Sequence, residues 1–299
     1  MKRALVTGTT GQCGALLAKF LLDKNYEVFG TIRRVSSPTN LWRLADLGLL
    51  DKITLVPADM TDMGSLIAAL KQSRPQEVYN LAAQSFVHAS FQMPYTTADV
   101  DALGVVRLLD AIRAVDESIK VYQASSSEIY GNGLQERNDE DSPKNPVSPY
   151  AVAKLYGFHA ARIYRQAYGM FVSNGILHNH DSPYRGLEFL TRKISNYVAQ
   201  ITLRLSTKKL RLGNLEAIRD FGYAPTYIES MWMMLQQNKP DDFVIATGIG
   251  HSVKNVLQTA FGFVDEDWRD NVEIADSERR PIDVDRLVGD ASKARRVLG

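Results

Sequence analysis

Residues 6–14 read "VTGTTGQCG". An apolar run, "RALVTG" at 3–8, leads into this stretch, and a helical pattern, "GALLAKFLLDKN" at 14–25, leads out of it. Glycine lets the chain turn sharply between strand and helix, and it lets backbone N–H groups at the helix start approach a pyrophosphate. The spacing is G-x-x-G-x-x-G, not G-x-G-x-x-G, so the strand before and the helix after carry the reading; a tight turn without a ligand is the competing one. Gly8, Thr10, Gly11, Gln12 and Gly14 are the loop residues expected to hold a dinucleotide.

Working outward, the same strand-then-helix rhythm repeats. "YEVFGTIR" (26–33), "ITLVPAD" (53–59), "EVYNLAA" (77–83) and "KVYQASS" (120–126) are short apolar runs bounded by turn residues, as suits strands buried on both faces of a parallel sheet. "MGSLIAALKQS" (63–73) and "VVRLLDAIRAV" (105–115) are helical patterns lying between them. This alternation predicts a doubly wound α/β parallel sheet. After residue 130 a polar, proline-bearing loop leads to a helix from about Pro149, then a strand at "FVSNGIL" (171–177). The remaining elements are mixed: a helical "YIESMWMMLQQ" (227–237), a strand-like "DFVIATG" (242–248) and a final basic helix. The expected division is a dinucleotide-binding domain over 1–175, including the Pro149 helix, and a smaller substrate-binding lobe over 176–299 interleaved with the sheet.

The end of the second strand bears on the cofactor. An NAD site uses an acid there to hold the ribose 2′-hydroxyl, whereas "GTIRR" supplies Arg33 and Arg34, whose guanidinium forks suit a 2′-phosphate. NADP is the expectation; an exposed basic pair on a turn is the bland alternative. Asp59 and Met60 follow the third strand, where the adenine is expected. Leu81, Ala82 and Ala83 of "NLAAQS" follow the fourth, beside the nicotinamide ribose.

Two further stretches carry chemistry. "QASSSEIYG" (123–131) ends a buried strand in hydroxyls and one acid, Glu128. Packing alone asks for neither. In "SPYAVAK" (148–154), Tyr150 and Lys154 stand four apart, hence on one helix face, where an ammonium is expected to favour the phenolate.

Composition narrows the classes. The 35 basic and 34 acidic side chains nearly cancel, so no global field recruits nucleic acid or a membrane. One cysteine, Cys13, allows no internal disulfide, and it reads as a small inert filler. The N-terminus turns glycine-rich before any apolar stretch of signal-peptide length, and no run reaches membrane-spanning length, so a cytoplasmic location is expected. The five histidines include His178 and His180 in "HNHDSPYRG", but without further ligand spacing no metal site is expected. "MWMMLQQ" (231–237) is expected to be core or packing surface.

Taken together, "TGTTGQCG", "NLAAQS", "QASSSEIYG" and "SPYAVAK" resemble the extended short-chain dehydrogenase/reductases, in their nucleotide-sugar-modifying branch. "RRVSS", "PQEVYNLAAQSFV", "SPYAVAKLYG", "RGLEFLTRKI" and "LRLGN" are similar to the GDP-mannose 4,6-dehydratase family in particular. That resemblance implies a Rossmann-type fold and a catalytic group of Ser126, Glu128, Tyr150 and Lys154, with serine where the family usually has threonine. It implies substrate contacts from Ser85, Asn179, Arg185, Lys193, Arg219, Arg280 and Asp283, the last in place of a usual glutamate. His178, Phe221 and Tyr223 also depart from the family pattern, leaving the sugar open between mannose and a relative such as a heptose. It further implies a homodimer or homotetramer in which "RRVSSPTN" (33–40) reaches a neighbouring subunit, and relatives that continue past "KARRVLG" with a Trp-x-Pro turn and a helix. Two rivals stand beside a dehydratase: a nucleotide-sugar 4-reductase or epimerase of the same fold, and a non-catalytic NADP-sensing protein.

Overall fold

A computed structural model describes residues 1–34, 38–133 and 135–299. In chain order the strands are β1 (Lys2–Thr7), β2 (Tyr26–Ile32), β3 (Thr54–Pro57), β4 (Glu77–Asn80), β5 (Lys120–Ser126), β6 (Val172–Leu177) and β7 (Asn179–Asp181). There follow β8 (Leu210–Leu212), β9 (Ile218–Tyr223), β10 (Asp242–Ile245), β11 (Gly250–Ser252), β12 (Val272–Ile274) and β13 (Arg286–Leu287). Seven of them form one sheet in the order β10-β6-β5-β4-β1-β2-β3, and every neighbouring pair is parallel.

Strand order reverses between β1 and β4. At such a switch point the connections leave on opposite faces, and a crevice opens beyond the C-terminal strand ends. Both sheet faces are covered. On one, the helix Gln12–Asp23 buries Leu17, Ala18 and Leu21 completely, each leucine contributing about 2 kcal/mol. It packs against the helix Ala224–Gln236, with Phe20 edge-on to Trp232 at 6.0 Å between centroids. Met231, Met234 and Leu235 have no exposed surface while Trp232, Met233, Gln236 and Gln237 are half-buried, so "MWMMLQQ" is part core and part packing surface. On the other face the helices Met63–Ser73 and Gly104–Val115 bury Leu66, Leu70, Leu108 and Ile112.

The second half returns to this sheet: β10 adds the edge strand beside β6, in register from Asp242 opposite Asn174. The rest builds its own core, where the helices Leu190–Thr202 and Val253–Gly262 close Ile194, Leu257 and Phe261 over Leu210 and Leu212.

Buried polar side chains mark the two ends of the sheet differently. Glu77, at the start of β4, accepts from Lys2 Nζ (3.1 Å), Tyr26 Oη (3.1 Å), Tyr79 Oη (2.7 Å) and Gln236 Nε2 (3.2 Å). It is saturated and structural. At the opposite end a ladder crosses three strands: Thr7 Oγ1 donates to Asn80 Oδ1 (2.6 Å), and Asn80 Nδ2 donates to Gln123 Oε1 (2.7 Å). Gln123 Nε2 then reaches the Ala124 carbonyl (3.0 Å). This ladder fixes the strand ends from which the candidate site is built.

Among the described residues, no helix is long and apolar enough to cross a membrane.

Candidate active site

The glycine loop follows β1. Gly8 has φ +66°, and a Cβ there would lie 2.9 Å from the backbone of Leu81 and Ala82. A Cβ on Gly14 would overlap the Gly8 carbonyl and stand 2.6 Å from Thr9 Cα. Gly11 begins the helix Gln12–Asp23 with no side-chain cap, which leaves the helix start to backbone N–H groups. An uncapped helix end beside a cradle with no room for Cβ atoms fits a pyrophosphate. The side chain of Gln12 is engaged otherwise: its Nε2 donates to the His180 carbonyl (3.1 Å) and its Oε1 accepts from Ser182 Oγ (2.8 Å). Arg43 clamps the loop from outside, donating to the carbonyls of Thr10 (3.1 Å) and Tyr184 (2.7 Å).

Arg33 and Arg34 stand exposed just beyond β2. Burial pushes the Asp59 carboxyl up, yet hydrogen bonds from the Thr61 N–H and hydroxyl, with the charges of Arg33 and Arg107, hold it below the usual range. Met60 is 5 % exposed with its side chain in the core, leaving only its backbone for an adenine contact. Leu81 and Ala82 donate their N–H groups to Thr7 Oγ1 (3.1 and 3.0 Å), which ties the β4 exit to the glycine loop, and half-buried Ala83 follows. Ser85 is exposed. Val35, Ser36 and Ser37, the middle of the segment expected to reach a neighbouring subunit, lie outside the described residues.

Beyond β5 the chain enters a short 3₁₀ turn, Ser127–Tyr130, and Ser126 caps it by accepting from the Glu128 N–H (3.2 Å). Glu128 therefore does not serve as the cap. Its side chain is only 11 % exposed and accepts from Arg280 Nη1 at 3.3 Å. Gly131 ends the turn at φ +58°, where any Cβ would collide with the Asn145 carbonyl.

Ser148 caps the long helix Pro149–Tyr168 by accepting from the Ala151 N–H (3.1 Å), with Pro149 at its first position. Tyr150 and Lys154 lie one turn apart on its buried face, 7 % and 5 % exposed. Lys154 Nζ donates to the Ala124 carbonyl (3.1 Å) and sits 5.8 Å from the Tyr150 ring centroid.

The pKa directions differ from the expected pull of an ammonium on a phenol. Burial raises Tyr150, and the charges of Asp101 and Glu128 add to that, while the Ser126 hydroxyl and Arg185 oppose it. Burial lowers Lys154, and Asp101 opposes that. Desolvating two groups that ionise in opposite senses outweighs what each does for the other.

Asp101 is a participant that sequence reading missed. It sits on a π-helical turn, Asp99–Leu103, and burial pushes its carboxyl up to about 6 against the pull of Lys154. Oδ1 accepts from the Gln84 N–H (2.7 Å), and Oδ2 has no partner among the described residues. Its signal was an acid in line with Val105 and Leu108 on an otherwise apolar helix face.

The lobe brings up the remaining residues. Arg219 on β9 is 6 % exposed, and its Nη2 meets Asp283 Oδ1 at 3.4 Å. Arg280 Nη1 faces the same oxygen at 3.8 Å. Arg185 pairs with Asp181 (3.1 Å) and lies over the Phe189 ring (3.8 Å to the centroid). Asn179 is half-buried on β7 opposite Phe221 of β9, near the end of which Tyr223 stands 64 % exposed. Lys193 is turned to Glu278 (2.8 Å) and the Arg211 carbonyl (2.9 Å). The geometry thus gathers Ser126, Glu128, Tyr150, Arg219, Arg280 and Asp283, while Lys193 is held by partners of its own.

Cys13 departs from the inert filler. Its Sγ lies 3.0 Å from His180 Nε2, and His180 Nδ1 meets the His178 carbonyl at 2.7 Å. Burial opposes ionisation of both, but the imidazole lowers the thiol and the thiol raises the imidazole. Burial pushes the His178 imidazole below its usual value, against the pull of Asp220. Among the described residues no group of three or more His, Cys, Asp or Glu side chains is arranged to hold a metal.

A doubly wound sheet, a glycine cradle at its switch point and a buried Tyr-x-x-x-Lys beside a hydroxyl define an extended short-chain dehydrogenase/reductase. Solved structures of this kind superpose over nearly the whole chain. The dTDP-glucose 4,6-dehydratase from Streptomyces venezuelae does so with a TM-score of 0.86 at 23 % identity, covering 99 % of this chain and 91 % of that one. The UDP-glucose 4-epimerase of Thermus thermophilus gives 0.84 at 24 % identity, covering 98 % and 92 %. Sequence likeness is more specific. GDP-mannose 4,6 dehydratase 2 of Arabidopsis thaliana is 49 % identical over 100 % of this chain and 82 % of its own length. The Drosophila melanogaster enzyme is 45 % identical over 99 % and 81 %, and the Vibrio cholerae enzyme 43 % identical over 100 % and 89 %. The family model for GDP-mannose 4,6 dehydratase matches residues 5–299. The chain belongs to the GDP-mannose 4,6-dehydratase family and is an enzyme of that type, a hydro-lyase.

Proposed function

We propose that this enzyme converts GDP-mannose, or a close GDP-sugar such as a heptose, to the 4-keto-6-deoxy sugar with NADP as a recycled cofactor. The glycine cradle and the Gln12–Asp23 helix start would hold the pyrophosphate, and Arg33 and Arg34 the 2′-phosphate. Leu81 to Ala83 would lie along the nicotinamide ribose, with Asp59 and the Met60 backbone near the adenine. The absence of an acid at the end of β2 supports NADP over NAD. When bound, the cofactor supplies the hydride acceptor for C4 and the hydride donor for C6.

The protein's own residues move protons. Tyr150 takes the proton of the sugar 4-hydroxyl, with Ser126 orienting that hydroxyl and Lys154 holding positive charge nearby. A ketone at C4 acidifies the C5 hydrogen, and Glu128 removes it. The C6 hydroxyl leaves as water on a proton returned by Glu128, with Ser126 in reach. Arg185, Arg219 and Arg280 would neutralise the diphosphate, Ser85 and Asn179 would contact the sugar and its phosphates, and Lys193 and Asp283 would face the nucleoside.

The observation that carries this reading is the burial of Glu128 on the turn that Ser126 caps. A relative that only oxidises and re-reduces at C4, as a 4-reductase or 4-epimerase does, removes no proton from C5, and a cofactor sensor needs no proton-transfer group at all, so neither rival calls for a sequestered carboxylate here. A homodimer or homotetramer in the cytoplasm completes the proposal. Incubation with GDP-mannose deuterated at C4 tests it. Deuterium should arrive at C6 with water lost and no net cofactor consumed; retention at C4 or stoichiometric use of NADPH refutes dehydration.

A further inference from the structure

We propose that Cys13 and His180 form a modification site in the glycine loop, at which hydrogen peroxide oxidises the cysteine sulfur to a sulfenate while the loop holds no dinucleotide. No step of the proposed dehydration uses either side chain.

The geometry is that of an activated sulfur. Cys13 is the second residue of the helix Gln12–Asp23, in a first turn with no side-chain cap, where backbone N–H groups favour negative charge. Its Sγ lies 3.0 Å from His180 Nε2. His180 Nδ1 is 2.7 Å from the His178 carbonyl, which can only accept, so Nδ1 carries a proton and Nε2 is left to take the one on sulfur. Gln12 Nε2 reaches the same sulfur at 3.8 Å, and Arg185 and Arg43 lie close enough for their charges to act with a thiolate. Burial opposes ionisation of the thiol, yet the imidazole, Arg185 and Gln12 together hold it below its usual range. Cys13 is only part-buried, so a small reagent can reach it.

A second feature is independent of the thiol. Two phenols beside the pair have no hydrogen-bond partner among the described residues. Tyr227, 3 % exposed, stacks on the His180 ring at 4.7 Å between centroids, and its hydroxyl lies over Gly222, the residue opposite His180 in the β7–β9 register. Tyr122 has no exposed surface, and burial, with the charge of Cys13, keeps its hydroxyl protonated. Buried hydroxyls are normally paired, and an oxygen on the sulfur supplies an acceptor in their neighbourhood.

The step balances. The Sγ thiolate attacks one peroxide oxygen, the O–O bond breaks, and the other oxygen leaves as hydroxide, which takes the Nε2 proton and departs as water. Sulfur gives up an electron pair to peroxide and becomes a sulfenate. Gln12 and Gly14 flank this sulfur in the chain, so the new oxygen brings charge and bulk to a cradle with no room for a Cβ at Gly8 or Gly14. A pyrophosphate in the cradle and an oxidised Cys13 therefore exclude each other, and each should weaken the other to the same extent.

Cys13 is the only cysteine in the chain, so every thiol readout reports on it. The full-length enzyme, freed of nucleotide, is treated with hydrogen peroxide in the presence of dimedone, and the sulfenate adduct is counted by intact-mass spectrometry. At neutral pH the folded protein should react about tenfold faster than the urea-unfolded chain, whose thiol is mostly protonated. His180→Gln should lose that advantage at neutral pH and regain the wild-type rate towards about pH 9, where the thiol ionises unaided. That recovery separates loss of a base from loss of the fold. Saturating NADP should slow labelling by about tenfold. Calorimetry after peroxide treatment should show NADP binding weakened by a similar factor, restored by dithiothreitol and unaffected in Cys13→Ala. A folded rate no higher than the unfolded one, a His180→Gln rate equal to wild type at neutral pH, or NADP that binds without protecting overturns the proposal. Failure of the untreated enzyme to bind NADP removes the cofactor reading instead, and the thiol pair is then decided by the pH profile alone.

Discussion

Replacing Glu128 by Gln should stop the reaction halfway. The substitution keeps the side-chain volume and an oxygen that can accept from Arg280, now 3.3 Å away. Arg280 also retains Asp283 at 3.8 Å, so the guanidinium is not left buried and alone. The expected stability cost is about 1 kcal/mol or less, which for a chain of this size lowers Tm by roughly 2 °C. The kinetic cost is larger. A positioned general base contributes about 10²- to 10⁴-fold, or roughly 3 to 5 kcal/mol of barrier. In the proposed mechanism oxidation at C4 does not need Glu128, since Tyr150 would take the 4-hydroxyl proton. Mixing the variant with GDP-mannose and NADP should therefore give a burst of NADPH absorbance, while water loss falls by the full factor. A turnover close to that of the wild type, or a loss of activity matched by gross unfolding, would refute the reasoning.

Other consequences are as direct. Gly14→Ala places a methyl against the Gly8 carbonyl, and calorimetry should show NADP binding lost together with about 2 kcal/mol or more of stability. Arg33→Ala with Arg34→Ala should weaken NADP by about ten- to a hundredfold while leaving NAD nearly unchanged, since charge-assisted hydrogen bonds contribute about 1.5 to 3 kcal/mol; equal loss for both cofactors would count against a 2′-phosphate site. Because the folded pKa of Asp101 is raised to about 6, its contribution is fully present below the ordinary carboxylate value and is lost as pH rises towards 6. At about 1.4 kcal/mol for each pH unit, Asp101→Asn should gain up to about 3 kcal/mol relative to wild type across that window, and denaturant titrations at several pH values would expose a flat difference.

The family resemblance lay in local stretches, and so did most of the sheet. Strands buried on both faces read as uninterrupted apolar runs, which is why β1, β2 and β5 emerged close to their true bounds. The position of Tyr150 and Lys154 on one helix face follows from the helical repeat alone. Roles that depend on partners far along the chain were not legible. Arg280 read as a cation for a diphosphate, and nothing in its neighbours tells that it meets Glu128 across 152 residues. Cys13 read as filler because its partner, His180, stands 167 positions away.

What the sequence determined by itself was therefore whatever rests on neighbouring residues: strand and helix periods, glycines at a turn, a phenol and an amine one turn apart. Only the tertiary structure decided which charges share a low-dielectric space. Burial raised Tyr150 and lowered Lys154 against the local expectation, and the lobe set an arginine on the proposed base. The physical reason is that desolvation and Coulomb terms depend on distance in space and on the exclusion of water. Neither quantity is written in the order of the residues.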